Sequence, residues 1–322
     1  MPETPDINAL AFLNGAGWGS IACEPLTGDA STRSYFRLRR GQETVVLMDA
    51  SRSPESVAPF IAVGRHLQKL GFSAPSILAG DAKKGFLLLE DFGDDTFARL
   101  LDNNGDAENL FALATDVLVG LHRNPQAIPA GLRAYDPEKM LNDIELFLDW
   151  CAPEISEAGR AEFRAVWRGV LPVAHRVPVS LLLRDFHAAN LMWLPRCEGV
   201  RRAGLLDFQD AYQGPVTYDL VSLLDDARRD VPERLREKMI VRYLAQFPDV
   251  NREAFKVSVA ILAALRHTRV LAIFERLSRR EQKHEYKQLH SPRVKCLLQR
   301  ALAHPRLAEV KRWMDCYAGF SE

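Results

Sequence analysis

Two apolar segments of the chain, 181–183 and 203–206, are each followed by an aspartate. Asp185 follows the first segment, Asn190 comes five residues later, and Asp207 follows the second segment. Short apolar runs that end in polar residues are typical of buried strands leading into a site. Carboxylate and amide oxygens are the ligands that Mg2+ prefers in proteins. The pattern therefore predicts a carboxylate-rich site at the ends of two strands.

Phosphoryl transfer from a magnesium nucleotide to a hydroxyl uses groups of this kind. One carboxylate orients and deprotonates the hydroxyl, while a second carboxylate and an amide hold the metal. We assign the first role to Asp185 and the metal-binding role to Asn190 and Asp207. Each of them alone is also explained as a turn or capping residue. The assignment depends on their joint spacing, since the second aspartate comes 22 positions after the first.

This spacing resembles that of the protein-kinase-like phosphotransferases. Kinase catalytic loops read HRDxxxxN and the metal segment reads DFG, whereas this chain reads LRDFHAAN at 183–190 and DFQ at 207–209. The stretch GPVTYDL at 214–220 is similar to an element of the aminoglycoside phosphotransferase branch, which implies that Asp219 supports the catalytic loop by hydrogen bonds. Only eleven residues separate Asp207 from Asp219. A protein-kinase activation segment does not fit there, so a small-molecule hydroxyl is the favoured acceptor.

Within that branch, six stretches resemble the anomeric amino-sugar kinases of bacterial cell-wall recycling. The resemblance covers most of residues 10–305. It implies ATP-dependent phosphorylation of N-acetylmuramate and N-acetylglucosamine at the C1 hydroxyl, in peptidoglycan recycling. The stretches are LTGDASTRSYFRL (26–38), VVLMDA (45–50), LLLEDFGDDTF (87–97), LLLRDFHAANLMWL (181–194), LLDFQDAYQGPVTYDLVSLLDDAR (205–228) and RHTRVLAIFERL (266–277).

The order of the predicted elements indicates an α+β protein with the bilobal protein-kinase-like fold. We expect a small N-terminal nucleotide-binding lobe with an antiparallel sheet and a helix (1–90), and a larger, mainly helical catalytic and sugar-binding lobe (91–322). The hinge is expected at 88–94. A chain of 322 residues suits two lobes. The predicted strands are 21–26, 35–38, 44–48, 77–79 and 86–90; the predicted helices are 6–17, 54–70, 106–123, 136–150, 156–174, 217–228, 232–247, 251–279, 292–303 and 305–317.

A polar loop with a glycine, TGDASTRS at 27–34, lies between two predicted strands. Its small residues would let backbone amides approach phosphate oxygens, and nearby arginines add charge. An ordinary hairpin also explains this loop. The extended segment after the fifth strand suits an adenine ring. The predicted nucleotide-binding residues are Gly28, Asp29, Ala30, Ser31, Thr32, Arg33, Arg37, Glu90 and Phe92.

The lysine that kinases carry on their third strand is replaced by Met48. That lysine normally holds the α and β phosphates and pairs with a helix glutamate. We hypothesise that Arg33 or Arg37 supplies the missing charge. Glu55 is a candidate for the helix glutamate, but a charge that favours the helix dipole explains its position better.

The segment 265–300 contains ten Lys or Arg against three Glu. A solvated helix face explains most of them. Arg266 and Arg269, however, lie in an otherwise apolar stretch, where a charge needs a partner. We predict that they grip the lactyl carboxylate of N-acetylmuramate, the substrate that the resemblance implies. Further candidate substrate contacts are Arg184, Gln209 and Asp210.

Two other functions are compatible with the sequence. A kinase of an aminoglycoside, choline or a homoserine-like molecule needs acidic or aromatic groups for a cation, and Asp225, Asp226 and Asp230 are candidates for them. A non-catalytic nucleotide-binding pseudokinase is the second alternative. Such a protein would be expected to lose one of the three assigned site residues, and all three are present.

The composition narrows the partners and the compartment. The 42 Lys and Arg balance 42 Asp and Glu, so no attraction of the whole protein to nucleic acid or an anionic membrane is predicted. Five widely spaced cysteines are typical of reduced thiols, the N-terminus lacks a secretory pattern, and no run of 18 apolar residues predicts a membrane span. We therefore expect a cytoplasmic enzyme with ATP and Mg2+ as cofactors, an amino sugar as substrate and no obligate protein partner.

Overall fold

The computed structural model describes residues 4–26 and 33–320. These residues form nine strands and eleven α-helices in an α+β arrangement. The strands are β1 Cys23–Leu26, β2 Ser34–Arg40, β3 Glu43–Asp49, β4 Ile77–Asp81, β5 Phe86–Glu90, β6 Val179–Leu182, β7 Leu191–Trp193, β8 Ala203–Leu205 and β9 Tyr212–Pro215. The helices are α1 Ile7–Gly15, α2 Val57–Lys69, α3 Phe97–Asp102, α4 Ala107–Arg123, α5 Pro137–Trp150, α6 Glu157–Ala174, α7 Thr217–Leu224, α8 Glu233–Ala245, α9 Arg252–Arg280, α10 His284–Leu302 and α11 Ala308–Tyr317.

The chain divides into two compact units. The first contains Met1–Val117 and Ala188–Ala211, and the second contains Leu118–His187 and Tyr212–Glu322. The segment 88–94 lies inside the first unit. The predicted lobe boundary at that segment stays a prediction.

The first unit contains the predicted five-stranded antiparallel sheet, in the order β1-β2-β3-β5-β4. Alternate residues of β2, β3 and β5 face one side, as the two-residue period of a strand requires. That side is buried against α1. The core cluster on this side is formed by Ala9, Leu13, Trp18, Phe36, Leu38, Val45, Leu47, Phe86 and Leu88.

The buried face of α1 differs from the predicted one. Helical spacing predicts that Ile7, Leu10 and Leu13 are buried together, but Ile7 is 81% exposed and Leu10 is 41% exposed. Ala9 and Leu13 are fully buried in the core cluster instead. Leu13 belongs to both possible helix stripes, and contact with the sheet selects the stripe that contains Ala9.

The second unit is built around α9, which packs on α5, α6, α7 and α10. By length and composition alone, α9 is apolar enough to cross a membrane. However, 72% of its most apolar 18-residue window is buried inside the protein. It is a core helix, and it brings Arg266 into the interior of this unit, while Arg269 on the same helix is partly exposed.

Several element boundaries also differ from the predicted ones. Helix α7 ends at Leu224 because Asp225 turns away to contact Arg236 and Arg300 at 2.9 and 2.6 Å. Helix α10 begins at His284, eight residues before Pro292, which lies inside the helix instead of starting it. The short elements α3, β7 and β9 were not predicted, since three to six residues are too few to show a clear period.

The core of the second unit depends on Trp313 of α11, which is 1% exposed. Its indole Nε1 donates to the Gly159 carbonyl at 2.9 Å, and its ring packs edge-to-face on Phe163 with centroids 4.8 Å apart. We expect Trp313→Ala to lower the free energy of unfolding by about 3–5 kcal/mol, because it leaves a cavity. Trp313→Phe should cost less, about 1–3 kcal/mol, since it loses the hydrogen bond to Gly159 and only part of the buried ring. Urea denaturation of both variants measures the difference, and equal losses would contradict this explanation.

Candidate active site

A buried carboxylate fixes the backbone that follows β6. Asp219 of α7 is 1% exposed, and its two oxygens accept hydrogen bonds from the Leu183 and Arg184 backbone N–H groups at 2.6 and 2.8 Å. Pairing of β6 with β9 brings α7 to this position, since α7 begins two residues after β9 ends. Burial raises the pKa of Asp219 to about 7, although both backbone hydrogen bonds favour the charged form. These are the contacts that the predicted supporting role requires.

The backbone held by Asp219 turns sharply and presents Asp185. The Asp185 N–H donates to the Leu183 carbonyl at 2.9 Å, and Arg184 between them has a φ of +70°. This is a tight three-residue turn with a left-handed residue, a conformation that is rarely populated without support. The Ser222 hydroxyl also donates to the Arg184 carbonyl, at 3.3 Å. The fold therefore sets the position of the Asp185 backbone.

Positive charge surrounds Asp185, which is half-buried. Burial raises its pKa, but the charges of Arg269, Arg184 and Arg266 outweigh burial and hold the pKa below its ordinary value. The carboxylate is therefore ionised at neutral pH and can only accept hydrogen bonds. A group of this kind suits the orientation of a hydroxyl more than the strong withdrawal of its proton.

Asp143 of α5, which was not among the predicted site residues, lies beside two of these arginines, Arg184 and Arg269. It accepts a hydrogen bond from Arg184 at 2.6 Å, lies 3.9 Å from Arg269 Nε, and accepts from the Tyr135 hydroxyl at 3.0 Å. The Arg184 guanidinium also lies over the rings of Tyr135 and Tyr212, at 5.1 and 5.2 Å. The only sequence signal for the contacts of Asp143 is that it is an acidic residue next to the buried positions of α5.

Arg266 is 4% exposed on α9. Its Nη1 is buried and has no hydrogen-bond partner within residues 4–26 and 33–320. A buried guanidinium nitrogen without an acceptor is energetically costly. The predicted contact of Arg266 with a substrate anion stays a prediction, and this nitrogen is a candidate donor for it.

The two candidate metal ligands lie together in the first unit. Asn190 Nδ2 is 3.5 Å from Asp207 Oδ2, and the Leu206 N–H donates to the Asn190 carbonyl at 3.0 Å. Pairing of β7 with β8 fixes both segments. Asp207 has a φ of +59°, which is uncommon for a residue other than glycine and is concentrated at functional sites.

The donor set at Asn190 and Asp207 fits Mg2+, which takes few protein oxygens and usually adds water and phosphate ligands. In the described part of the chain, no three His, Cys, Asp or Glu side chains converge as a complete metal site. A metal at this pair would therefore take its remaining ligands from water and from a bound phosphate. The assignment of the pair as metal ligands stays a prediction.

Two further side chains contact Asp207. Gln209, 6% exposed, donates from Nε2 to Asp207 at 3.0 Å and to Asp210 at 3.1 Å. Arg33 Nη2 donates to Asp207 Oδ1 at 2.6 Å. Gln209 and Asp210 thus lie beside the candidate metal pair, and their predicted contact with substrate stays a prediction.

The predicted nucleotide-binding residues fall into three groups. Gly28, Asp29, Ala30, Ser31 and Thr32 lie outside the described residues. The second group, Glu90 and Phe92, flanks the end of β5. The Glu90 N–H donates to the Ser76 carbonyl at 2.8 Å, the Glu90 carboxylate accepts from the Ser76 N–H at 3.1 Å, and the Phe92 ring lies against Gly204. The third group contains two arginines, Arg33 just before β2 and Arg37 on β2.

Arg37 is engaged inside the first unit. Its guanidinium holds Asp91 by two hydrogen bonds of 2.7 and 2.9 Å, Asp94 at 2.6 Å and the Gly93 carbonyl at 3.0 Å. The Arg37 and Asp91 side chains are 6% and 5% exposed. Two carboxylates already balance this charge, which argues against Arg37 as the source of charge for phosphates. Its contacts instead fix the segment after β5.

Comparison with known proteins places these residues in a family. The sequence model of the phosphotransferase enzyme family, APH, matches residues 22–255. The N-acetylmuramate/N-acetylglucosamine kinase of Caulobacter vibrioides is 35% identical over 95% of this chain and 95% of its own length. A protein of the same name from Pseudomonas aeruginosa is 34% identical over 91% of this chain and 89% of its own length.

Solved structures show the same fold at low sequence identity. A choline/ethanolamine kinase family protein from Mesorhizobium loti has a TM-score of 0.63 and 16% identity, and the match covers 92% of each chain. The ADP-bound aminoglycoside phosphotransferase APH(2'')-Ib has a TM-score of 0.62 and 18% identity, and the match covers 92% of this chain and 99% of that chain. These matches confirm the predicted bilobal kinase-like class of fold.

Removal of the Arg37 side chain tests its structural role. We expect Arg37→Met to lower the free energy of unfolding by about 3–5 kcal/mol, because it leaves a buried carboxylate without its partner. Arg39→Met is the matched control, since Arg39 lies on the same strand, is 51% exposed and pairs with an exposed Glu24. That control should cost less than about 1 kcal/mol. Similar losses in both variants would contradict the role given to Arg37.

The pKa of Asp91 predicts that the stability effect of Arg37→Met depends on pH. Burial alone raises the pKa of Asp91, but the hydrogen bonds from Arg37 and from the Gly93 N–H bring it below its ordinary value. The stabilisation is therefore complete above the ordinary value of about pH 4 and is lost as the pH falls through the lowered pKa. We expect the stability difference between wild type and Arg37→Met to narrow as the pH falls, first because the buried, unpaired Asp91 of the variant takes up a proton and then because Asp91 of the wild type does. Denaturation curves at pH 7 and pH 3 measure it.

Proposed function

Because the chain belongs to the phosphotransferase enzyme family, we propose that it transfers the γ-phosphoryl group of ATP to the C1 hydroxyl of N-acetylmuramate and N-acetylglucosamine. The product is the sugar 1-phosphate, and the role is in peptidoglycan recycling. Relatives named N-acetylmuramate/N-acetylglucosamine kinase are 33–35% identical to this chain and cover 84–95% of it. The observation that carries the proposal is the turn that presents Asp185, which Asp219 holds through two hydrogen bonds from the backbone.

Asp185 acts as the base that orients the acceptor. The C1 hydroxyl donates a hydrogen bond to its carboxylate and is thereby aimed at the γ-phosphorus. A new bond forms between the sugar oxygen and phosphorus, the bond to the β–γ bridging oxygen breaks, and ADP leaves. The proton passes to Asp185 late in the reaction and then to solvent. A hemiacetal hydroxyl is more acidic than an ordinary alcohol, so a carboxylate with a low pKa is an adequate base.

Asn190 and Asp207 are the residues that would hold Mg2+ with the nucleotide phosphates. The metal, when bound, neutralises charge that develops on the transferred group. The two ligands belong to the first compact unit and Asp185 to the second. Their assignment to one catalytic centre is supported by the five-residue and 22-residue spacings in the sequence.

Arg266 and Arg269 supply recognition of the sugar anion. N-acetylmuramate carries a lactyl carboxylate that N-acetylglucosamine lacks. The buried Arg266 Nη1 requires an acceptor, and a guanidinium matches a carboxylate in geometry and charge. The Asp143 carboxylate lies 3.9 Å from Arg269 Nε, which is longer than a hydrogen bond. Both arginines are therefore suited to bind a carboxylate near Asp185.

A cationic acceptor such as an aminoglycoside or choline is less well supported. Asp225, a candidate acid for such a pocket, is already held by Arg236 at 2.9 Å and Arg300 at 2.6 Å. Asp230 pairs with Arg293. Two of the three candidate acids are thus balanced by arginines within the protein, while the charges of three arginines act on Asp185. The five cysteines are unpaired, which supports a reducing compartment such as the cytoplasm.

Replacement of the proposed base is the direct test. We expect Asp185→Asn to lower kcat for N-acetylmuramate by about 100- to 10,000-fold, as for removal of a positioned base. Nucleotide binding, measured by calorimetry, should stay close to that of the wild type. Asp249→Asn, an exposed aspartate of the same unit, is the control. Near-normal turnover of Asp185→Asn, or wild-type preference for choline, homoserine or an aminoglycoside in a substrate panel, would contradict the proposal.

Recognition of the carboxylate is tested by comparing two sugars. We expect Arg266→Met and Arg269→Met to lower kcat/KM for N-acetylmuramate by about 10- to 100-fold, the effect of losing a hydrogen bond to a charged group. The value for N-acetylglucosamine should change much less. Arg280→Met, at the exposed end of the same helix, is the control. Equal losses for both sugars would show that these arginines act on Asp185 and not on the lactyl group.

A further inference from the structure

Arg33 is the residue immediately before β2, and its side chain reaches the candidate metal ligand Asp207. Its Nη2 lies 2.6 Å from Asp207 Oδ1, and the two side chains are 10% and 35% exposed. A charge-assisted contact of this length is a strong hydrogen bond. It places a fixed cation at the carboxylate that the proposed function gives to the metal.

The strand register explains how the cation reaches this place. Tyr35 of β2 lies opposite Met48 of β3, and Met48 lies opposite Leu87 of β5. Met48 is fully buried and carries no charge. Arg33 precedes Tyr35 by two residues, so both side chains leave the strand on the side of Met48. The neighbouring strand thus delivers a positive charge on the face where β3 has none.

Two other arginines share this face of β2, and their contacts differ from those of Arg33. Arg37 is held by Asp91 and Asp94. Arg39 is exposed and pairs with Glu24. Of the three arginines, Arg33 is the one that the described structure shows in contact with Asp207.

We propose that Arg33 binds the phosphates of the nucleotide and does the work that a lysine on the third strand does in other kinases. The inference rests on the proposed phosphotransferase function. A guanidinium has five N–H donors in a planar fork, so one side chain can hold Asp207 and a phosphate oxygen together. Asp207 keeps Arg33 in place before the nucleotide arrives.

Nucleotide binding without turnover tests this role. Affinity for ADP is measured by calorimetry, once with Mg2+ and once with EDTA. We expect Arg33→Met to weaken ADP binding by about 10- to 100-fold in both conditions, as for the loss of a charge-assisted hydrogen bond. Arg33→Lys should recover part of the affinity, because it restores the charge but not the fork. Arg39→Met, on the same face, should bind ADP as the wild type does.

The outcomes separate this inference from its alternatives. Unchanged ADP affinity in Arg33→Met would overturn it. A loss seen with Mg2+ but absent in EDTA would also overturn it, because Arg33 would then act only by placing the metal ligand. Thermal unfolding of each variant without nucleotide shows whether the fold is intact. If Arg33→Met weakens ADP binding while the wild type phosphorylates no amino sugar, the proposed substrate is wrong and the role of Arg33 stands.

Discussion

The two hydrogen bonds that the Asp219 carboxylate accepts from the Leu183 and Arg184 backbone N–H groups support the turn that presents Asp185. A left-handed residue in a three-residue turn is unfavourable on its own, so it persists only where its surroundings compensate for the strain. A buried carboxylate is equally unfavourable unless it is hydrogen-bonded. Here the turn donates its backbone N–H groups to the carboxylate, and the carboxylate holds the turn in its unfavourable conformation. The direction of Asp185 is a consequence of this mutual support.

The features that could be predicted from the sequence are those set by neighbouring residues. Asp185, Asn190, Asp207 and Asp219 were found because their spacings along the chain are short and regular. The strands of the first sheet were found because apolar residues alternate and turns separate them, and the five-stranded antiparallel sheet is confirmed. Family and fold class followed from the same local patterns.

The features that could not be predicted depend on contacts between distant parts of the chain. Arg37 lies 54 residues before Asp91, and Asp143 lies 41 residues before Arg184, so no local pattern links these partners. The charge of an arginine is visible in a sequence, whereas the carboxylate that balances it is not. For that reason Arg33 and Arg37 were equivalent in the sequence and have different partners in the structure.

Helix α9 is at once the central core helix of its unit and the carrier of Arg266 and Arg269. Arg266 is 4% exposed among the packed side chains of this helix, so it cannot change as freely as a residue of a surface loop. Under the proposed function, a change of acceptor preference at this position also repacks the interior. Laboratory attempts to change the acceptor through this residue will need compensating stabilisation elsewhere.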